Sequence, residues 1–298
     1  MTGPAILVTG GSGQLARALA AAATDLMVRR VGRPDFDFDR PTTVDATFRD
    51  AAPALVVNAA AYTAVDAAET DAEAADRANR AGPAQLAALC AAAGVPLIHV
   101  STDYVFDGGK GAPYVETDAT APQGVYGASK LAGEESVLAS GARAVILRTS
   151  WVYAATGRNF VRTMLALGKT RERLTVVADQ KGCPTAAADL AEAILALARR
   201  ILHDGWREQF GGIFNAAGSG WTTWHGLAVA AFREAQARDP ARRMPEVVPI
   251  ATTDWPTPAK RPADSRLDCA KLASVWDVRL PDWRDALRRT VAEMDLPA

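Results

Sequence analysis

The sequence contains little of what metal centres and disulfide scaffolds require. Only three cysteines and three histidines occur among its 298 residues. The cysteines are odd in number, lie far apart in the chain and form no C-x-x-C pair, so we expect neither a disulfide framework nor a zinc site. We therefore predict that the protein binds no metal and works in a reducing, cytoplasmic environment.

The charge balance and the hydrophobic runs argue against two further classes of protein. A formal net charge of -1 lacks the basic excess that a nucleic-acid or anionic-membrane surface needs. No segment reaches the roughly 18 uninterrupted apolar residues of a membrane helix. Met1 leads into the apolar run 5–8 without a basic leader, which predicts a first strand rather than a targeting segment. We expect neither nucleic acid nor a membrane as a partner.

Short apolar runs alternate with longer alanine-rich stretches through the first half of the chain. We predict buried strands at residues 6–9, 55–58, 97–101 and 144–148. The helix-like segments between them cover residues 14–23, 72–93 and 126–140. This alternation predicts an α/β fold with a Rossmann-type, doubly wound parallel sheet.

The second half of the chain is less regular, although a helix near 186–202 and a strand near 212–216 still fit the sheet. We predict an NAD(P)-binding domain made of residues 1–149 plus about 183–218. The irregular segments, about 150–182 plus 219–298, are predicted to form a smaller C-terminal substrate-binding lobe.

A glycine-rich turn joins the first predicted strand to the first predicted helix. Gly10, Gly13 and Ala16 have the spacing G-x-x-G-x-x-A. Small residues there permit a tight turn and a close approach of the backbone to a pyrophosphate, which then faces the positive end of the helix dipole. A glycine triplet alone is weak evidence, but its place between strand and helix favours a dinucleotide site.

The residues that distinguish NADP from NAD are expected after the second strand. An acidic residue there would hold the ribose hydroxyls of NAD, whereas an arginine would accept the 2′-phosphate of NADP. The sequence offers both, Arg33 and Asp37. Arg33 slightly favours NADPH over NADH, although an ordinary surface arginine would look the same.

Tyr126 and Lys130 lie four residues apart at the start of a predicted helix and therefore share one helix face. A free tyrosine titrates near 10, and a neighbouring cation would lower that pKa toward neutrality. Such a pair can serve acid–base catalysis, with the lysine also bonding the nicotinamide ribose. The pattern alone is common by chance and also fits an exposed helix pair.

Thr102 strengthens the case because it ends a predicted buried strand at the sheet edge where α/β proteins hold their ligands. Its hydroxyl can donate a hydrogen bond to a substrate carbonyl and stabilise the developing alkoxide. Ser101 is a weaker candidate for the same role. The order of glycine turn, strand-end hydroxyl and Tyr/Lys pair indicates a nicotinamide oxidoreductase.

Several longer stretches resemble sequences of the dTDP-4-dehydrorhamnose reductase family. Its members are extended short-chain dehydrogenases/reductases. In the first half they are residues 13–15, 58–66, 101–106, 126–134 and 148–153. In the second half they are residues 179–185, 222–226, 255–262 and 265–268. The second-half stretches are the more specific, because the whole superfamily shares the Tyr/Lys pair.

The resemblance implies NAD(P)H-dependent reduction of the 4-keto group of a dTDP-linked 6-deoxysugar to give dTDP-L-rhamnose. It implies that Tyr126 donates the proton, Lys130 tunes it and Thr102 bonds the carbonyl. The cofactor-binding residues expected in all are Gly10, Gly13, Gln14, Leu15, Arg33, Asp37, Phe38, Ala61, Tyr62, Thr63, Tyr126 and Lys130. The expected substrate-binding residues are Thr102, Asp103, Trp151, Arg261 and Arg266.

One departure from the family bears on assembly. Some members dimerise through a divalent cation held by acidic residues, one of them in the first helix. Residues 14–21 of this chain contain no carboxylate, so we expect no metal bridge and leave monomer and homodimer open.

Two alternative functions keep the fold. A nucleotide-sugar 4-epimerase or dehydratase would recycle a tightly held NAD, although the dehydratase type has a second acidic residue where this chain has Tyr104. A non-catalytic regulatory subunit that binds a dinucleotide is the third reading. Such proteins tend to lose the Tyr/Lys pair, which is present here.

Overall fold

The computed structural model describes residues 5–295 and is built around a parallel sheet of six strands. The strands are β1 (Ala5–Val8), β2 (Met27–Arg30), β3 (Leu55–Asn58), β4 (Leu97–Thr102), β5 (Ala144–Thr149), β6 (Val152–Tyr153), β7 (Arg173–Val177), β8 (Lys181–Gly182), β9 (Thr185–Ala186), β10 (Gly212–Asn215), β11 (Thr222–Thr223) and β12 (Glu246–Ile250). The helices are α1 (Gln14–Ala22), α2 (Pro41–Ala51), α3 (Val65–Ala68), α4 (Ala72–Asp76), α5 (Gly82–Ala93), α6 (Val125–Ala139), α7 (Phe160–Leu167), α8 (Ala187–Asp204), α9 (Trp224–Arg238), α10 (Ala270–Trp276) and α11 (Trp283–Glu293).

The central sheet has the strand order β10-β5-β4-β3-β1-β2, and each neighbouring pair is parallel. The chain therefore leaves β1 toward β2 on one side and returns to β3 on the other. Such a reversal opens a crevice at the carboxyl ends of the strands, where ligands of doubly wound sheets bind. The predicted fold class is confirmed.

Helices cover both faces of this sheet, which explains why its inner strands are buried and begin with apolar runs. Helices α1, α8 and α10 pack on one face, and α2, α5 and α6 pack on the other. Strands β3 and β5 are buried at every position, whereas β2 lies at the edge and is mostly exposed. The predicted helix 72–93 is interrupted by a single π-helical turn at Arg77–Ala81.

A second hydrophobic core lies outside the sheet. Helices α7, α9 and α11 contribute Leu165, Phe232 and Leu287 to it, together with Leu174 of β7. Strand β7 pairs in parallel with β12 to form a small separate sheet. This core supports the proposed substrate lobe, although the domain boundaries stay a prediction. Trp276 of α10, which falls in the range predicted for the lobe, packs in the core of the central sheet.

Residues 252–268, which we call the bridging segment, connect the two cores. At its start the Thr252 N–H donates to the Asp179 carboxylate. Further along, the Ala259 N–H donates to Asp66 beside the crevice. The segment thus links the end of β7 to α3, next to Val65 in the cleft wall. Within residues 5–295, no helix is both long and apolar enough to cross a membrane.

Candidate active site

A cleft of about 1220 Å³ opens at the carboxyl ends of β1, β3, β4 and β5. It extends from the glycine turn after β1 to Trp151 and Trp224 of the second core. The volume and the elongated lining suit a dinucleotide together with a second ligand. The cleft contains most of the residues that the sequence singled out.

The glycine turn is built so that backbone alone faces the cleft. Gly10 has φ +101, and a Cβ on it would lie 2.7 Å from the carbonyl oxygen of Ala59. Gly11 has φ +49 and packs against Gly32, and a Cβ on Gly32 would lie 2.5 Å from the Gly11 Cα. No side chain caps the N-terminus of α1, so its first N–H groups are available to an anion. The turn fits a pyrophosphate, as predicted.

Arg33 and Asp37, the two residues that the sequence offers for distinguishing NADP from NAD, both line the cleft. The Arg33 guanidinium donates to Asp37 at 2.8 Å and to Asp39 at 2.5 Å. Asp39 also accepts from Arg77 at 2.7 Å. The Arg33 side chain is 66% exposed and that of Asp37 only 12%. The carboxylate is therefore fixed at the wall, while the arginine lies across it from the solvent side.

Asn79 fixes the loop after β3, where Ala61, Tyr62 and Thr63 line the cleft. Its amide accepts from the Tyr62 N–H at 2.8 Å and donates to the Tyr62 carbonyl at 3.1 Å. The same amide donates to Ser129 on α6 at 3.0 Å. Asn79 lies in the π-helical turn, a feature often found at functional sites. It thus couples the cofactor loop to the helix of the Tyr/Lys pair.

Thr102, Tyr126 and Lys130 converge on the middle of the cleft. Burial raises the pKa of the Tyr126 phenol to about 12, with the nearby Thr102 hydroxyl acting to lower it and the Asp103 carboxyl to raise it. The Lys130 ammonium donates to the Val100 carbonyl at 2.7 Å. A phenol held protonated in this way is suited to donate a proton to an alkoxide.

The expected lowering of the tyrosine pKa by its lysine neighbour is therefore not seen in the protein alone. Desolvation of the phenol is the largest cause of the raised pKa, and the nearby Asp103 carboxyl raises it further. Burial also lowers the pKa of the Lys130 ammonium to about 8, with Glu134 acting to raise it. The lysine is thus a cation that titrates close to neutral pH.

Asp103 follows Thr102 and is buried in the cleft wall. Its Oδ1 lies 3.2 Å from the Thr102 hydroxyl, and its Oδ2 is buried without a hydrogen-bond partner. Burial raises the pKa of this carboxyl to about 7, against hydrogen bonds from Ser265 and Thr102 that act to lower it. Asp103 is therefore a carboxyl whose protonation changes near neutral pH.

A buried ion pair supports this wall from behind. Glu134 of α6 and Arg148 of β5 are 1% and 2% exposed and approach to 2.6 Å. The Ser101 hydroxyl donates to Glu134 as well, and the Arg148 guanidinium lies over the Phe106 ring. The pair joins β4, β5 and α6 directly beneath the catalytic residues.

A second buried chain of polar groups crosses the sheet between β1 and β4. The Thr9 hydroxyl donates to Asn58 at 2.6 Å, and the Asn58 amide lies 3.0 Å from His99 Nδ1. Because the Asn58 amide nitrogen donates, the His99 proton must sit on Nε2, which has no partner. Burial, with Lys130 nearby, holds the pKa of His99 well below its usual range.

Two stacked indoles line the cleft on the side of the second core. The rings of Trp151 and Trp224 lie 3.6 Å apart at 9°. Trp151 has φ +47, which is unusual for a residue with a Cβ, and its indole packs against Gly182. The Trp224 indole N–H donates to Gln180. This flat apolar surface suits one face of a sugar ring.

Arg261 and Arg266 are the two predicted residues that lie off the cleft wall. Arg261 donates to both oxygens of Asp66, at 3.0 and 2.8 Å. Arg266 pairs with Asp264 at 2.6 Å and lies over the Trp221 ring. Both guanidinium groups are already engaged by carboxylates, so a phosphate would have to replace or join those partners.

The other predicted site residues all line the one cleft. They are Gly10, Gly13, Gln14, Leu15, Arg33, Asp37, Phe38, Ala61, Tyr62, Thr63, Thr102, Asp103, Tyr126, Lys130 and Trp151. Their roles as ligand contacts remain predictions.

Several supporting residues were missed by sequence reasoning. Asn79 and His99 carry no local pattern that distinguishes them from ordinary helix or strand residues, and Trp224 stands in a family-like stretch but was given no role. Glu134 and Arg148 stand in family-like stretches, but their pairing across 14 residues was not inferred. In the part of the chain that the structure describes, no group of three His, Cys, Asp or Glu side chains is placed to hold a metal ion.

Comparison with known proteins gives consistent relatives. The family described as "RmlD substrate binding domain" matches residues 4–296. A dTDP-4-dehydrorhamnose reductase of Sinorhizobium fredii is 47% identical over 287 residues, which cover 96% of each chain. The Escherichia coli protein of the same name is 41% identical over 295 residues and 97% of each chain.

A solved structure shares the fold over its whole length. It is that of a dTDP-4-dehydrorhamnose reductase from Bacillus anthracis in complex with NADP, with a TM-score of 0.89 and 31% identity. The match covers 98% of this chain and 100% of that one. These matches confirm the resemblance found in the sequence. The chain belongs to the dTDP-4-dehydrorhamnose reductase family.

Proposed function

We propose that the protein reduces the 4-keto group of dTDP-4-dehydro-6-deoxy-L-mannose to give dTDP-L-rhamnose, with NAD(P)H as reductant. The observation that carries this proposal is the convergence of Thr102, Tyr126 and Lys130 in one cleft with the glycine turn. The relatives of the chain carry the name of this activity. The nicotinamide cofactor, when bound, supplies the hydride.

The residues of the cleft supply the remaining chemistry. The Thr102 hydroxyl is placed to donate to the keto oxygen, and Tyr126 transfers its phenolic proton to that oxygen as the C4 carbon gains hydride. The new C–H and O–H bonds balance one hydride and one proton. Lys130, a buried cation held by the Val100 carbonyl, stabilises the phenolate that remains and can bond the cofactor ribose.

The substrate contacts in the proposal fall at the far end of the cleft. Trp151, stacked on Trp224, offers a flat surface to the deoxysugar ring. Asp103 lies beside Thr102 within reach of the sugar hydroxyls. Arg261 and Arg266 lie beyond, on the bridging segment, where a nucleotide diphosphate could draw them from Asp66 and Asp264.

The test is the loss of turnover in Tyr126→Phe. Removing the donor proton should lower kcat by roughly 100-fold or more, with the cofactor dissociation constant little changed. Tyr114→Phe, whose hydroxyl bonds Asp107 away from the cleft, is the matched control and should remain active. Near-normal turnover in Tyr126→Phe would refute the mechanism.

Cofactor consumption separates the reductase from its alternatives. A reductase oxidises one NAD(P)H for each product formed and only when the keto sugar is present. An epimerase or dehydratase would show no net oxidation, and a regulatory subunit no turnover. Running dTDP-, GDP- and UDP-linked keto sugars side by side, with product stereochemistry read by NMR, identifies the preferred substrate.

We also propose that the enzyme accepts both NADPH and NADH with a slight preference for NADPH. Arg33 supports the first because a 2′-phosphate could draw it from the Asp37 and Asp39 carboxylates. Asp37 supports the second as an acceptor for ribose hydroxyls. Arg33→Ala should raise the KM for NADPH several-fold while leaving that for NADH nearly unchanged.

Cytoplasmic location and a monomeric or homodimeric state remain predictions. Sedimentation of the purified protein with and without EDTA tests the oligomeric state. A dimer that dissociates on chelation would overturn the expectation that no metal bridges two subunits.

A further inference from the structure

Arg158 lines the cleft from the loop between β6 and α7. This loop belongs to the second core but reaches back to the glycine turn of the sheet. The Asn159 side-chain amide donates to the Gln14 side chain at 2.9 Å, and Gln14 is the first residue of α1. On the other side of Arg158, Gly157 packs against the Gln14 side chain. Arg158 is therefore held beside the N-terminus of α1.

The charge of Arg158 is not used by the protein itself. Its side chain is exposed, and within residues 5–295 it has no ion pair or hydrogen bond. The other two cations of the cleft wall are engaged: Arg33 by Asp37 and Asp39, and Lys130 by the Val100 carbonyl. An unpaired cation on a loop anchored beside a backbone anion site is complementary to an anionic ligand.

We propose that Arg158 clamps the pyrophosphate of the dinucleotide against the glycine turn. The pyrophosphate carries two negative charges, whereas the turn offers only backbone N–H groups and a helix dipole. A guanidinium can add a bidentate, charge-assisted pair of hydrogen bonds from the opposite side. The proposal rests on the dinucleotide part of the proposed function and adds a contact made by the second core.

The loop anchoring gives the clamp a further consequence. Since Gln14 joins the loop to α1, the cofactor would be held between the sheet and the second core rather than by the sheet alone. Both NADH and NADPH share the pyrophosphate, so Arg158 should not distinguish them. Arg33 and Arg158 are therefore expected to have separable effects.

Titration of purified protein with NADH and NADPH, followed by cofactor fluorescence, tests the proposal without any sugar substrate. Arg158→Ala should raise both dissociation constants by the same factor, roughly five- to twenty-fold. It should also weaken the salt dependence of binding, because one exposed charge pair is lost. Arg158→Lys should recover part of the affinity, and Arg171→Ala, an exposed arginine of the same core outside the cleft, should bind as wild type.

Competition with fragments identifies the group that Arg158 contacts. Arg158→Ala should weaken ADP and leave adenosine unchanged. Unaltered binding of both dinucleotides, or an effect on NADPH alone, would overturn the proposal. So would a loss confined to dTDP, which would assign Arg158 to the substrate. If the wild-type protein binds no dinucleotide, the proposed function itself fails, which is a different outcome.

Discussion

The two walls of the cleft are built by different means. The cofactor wall, residues 10–15, 32 and 59–63, presents mainly backbone and small side chains, and its glycine turn depends on the absence of Cβ atoms. The catalytic wall, Thr102, Asp103, Tyr126, Lys130 and Trp151, presents large or ionisable side chains held by buried partners. The first wall should fail when atoms are added, and the second when a partner is removed.

The largest effect is expected from the catalytic wall, in Glu134→Gln. The substitution keeps the shape but leaves the Arg148 charge buried without its partner, which costs about 3–5 kcal/mol. Urea unfolding followed by circular dichroism measures the loss. Glu135→Gln, its exposed neighbour on α6, is the control and should change the free energy of unfolding by less than about 0.5 kcal/mol. Equal stabilities of the two variants would show that the ion pair does not support the wall.

The cofactor wall is tested by Gly10→Ala. The new Cβ would meet the Ala59 carbonyl at 2.7 Å in a backbone conformation that disfavours side chains, so we expect a loss of about 2–4 kcal/mol. Dinucleotide affinity should fall at least ten-fold. Gly94→Ala is the control because Gly94 also has positive φ but open space around it. It should cost about 1 kcal/mol and leave the cofactor dissociation constant unchanged.

Asp103 predicts how the catalytic wall responds to pH. Protonated, its carboxyl can donate to Thr102 and leave the threonine hydrogen free for the keto oxygen; ionised, it takes that hydrogen. The groups that face Asp103 are Tyr104, Tyr126, Cys183 and Ser265, all uncharged at neutral pH. Because burial raises the pKa of Asp103 to about 7, kcat/KM should fall as pH rises through that value.

Asp103→Asn checks this expectation. The amide can donate to Thr102 at every pH, so the decline of kcat/KM near pH 7 should vanish. A decline near pH 8 should remain, where the Lys130 ammonium loses its proton. Asp107→Asn, an exposed acid outside the cleft, should retain the wild-type profile. An unchanged profile in Asp103→Asn would assign the decline to another group.

The pH dependence of stability tests the raised pKa of Asp103 without any substrate. A folded pKa raised above the unfolded value of about 3.9 means that the contribution of Asp103 is fully present below pH 4 and is lost as pH rises through 7. The Tm of Asp103→Asn relative to wild type should therefore increase between pH 4 and 8. A constant difference would mean that the carboxyl is ionised throughout.

The smallest effect is expected where the bridging segment meets α3, outside both walls. The Arg261–Asp66 pair is partly exposed, so Arg261→Ala should cost only about 0–1 kcal/mol of stability. We expect the KM for the nucleotide sugar to rise several-fold instead. Asp66→Asn distinguishes the roles, because it frees Arg261 and should not raise that KM. A parallel rise in both variants would indicate that the ion pair, rather than the arginine alone, shapes the site.

The same contrast explains what could be predicted from the sequence. Gly10 and Gly13 are recognisable because strand, turn and helix follow one another along the chain, and so the cofactor wall is encoded locally. Arg261 meets Asp66 across 195 residues, and Asn79 meets Ser129 across 50, so no local pattern announces either contact. The prediction that the pKa of Tyr126 is lowered was wrong for a similar reason, because burial of the phenol depends on tertiary packing.

The packing of Trp151 against Gly182 has an evolutionary consequence. Any side chain at position 182 would overlap the indole, and the indole in turn fills the space that the missing side chain leaves. Enlarging Gly182 would cause a clash with the indole, and shrinking Trp151 would leave a space beside Gly182, unless the other residue changes at the same time. Among descendants of this gene, the two positions should therefore drift as a pair, and a lineage that enlarges residue 182 should already have shrunk residue 151.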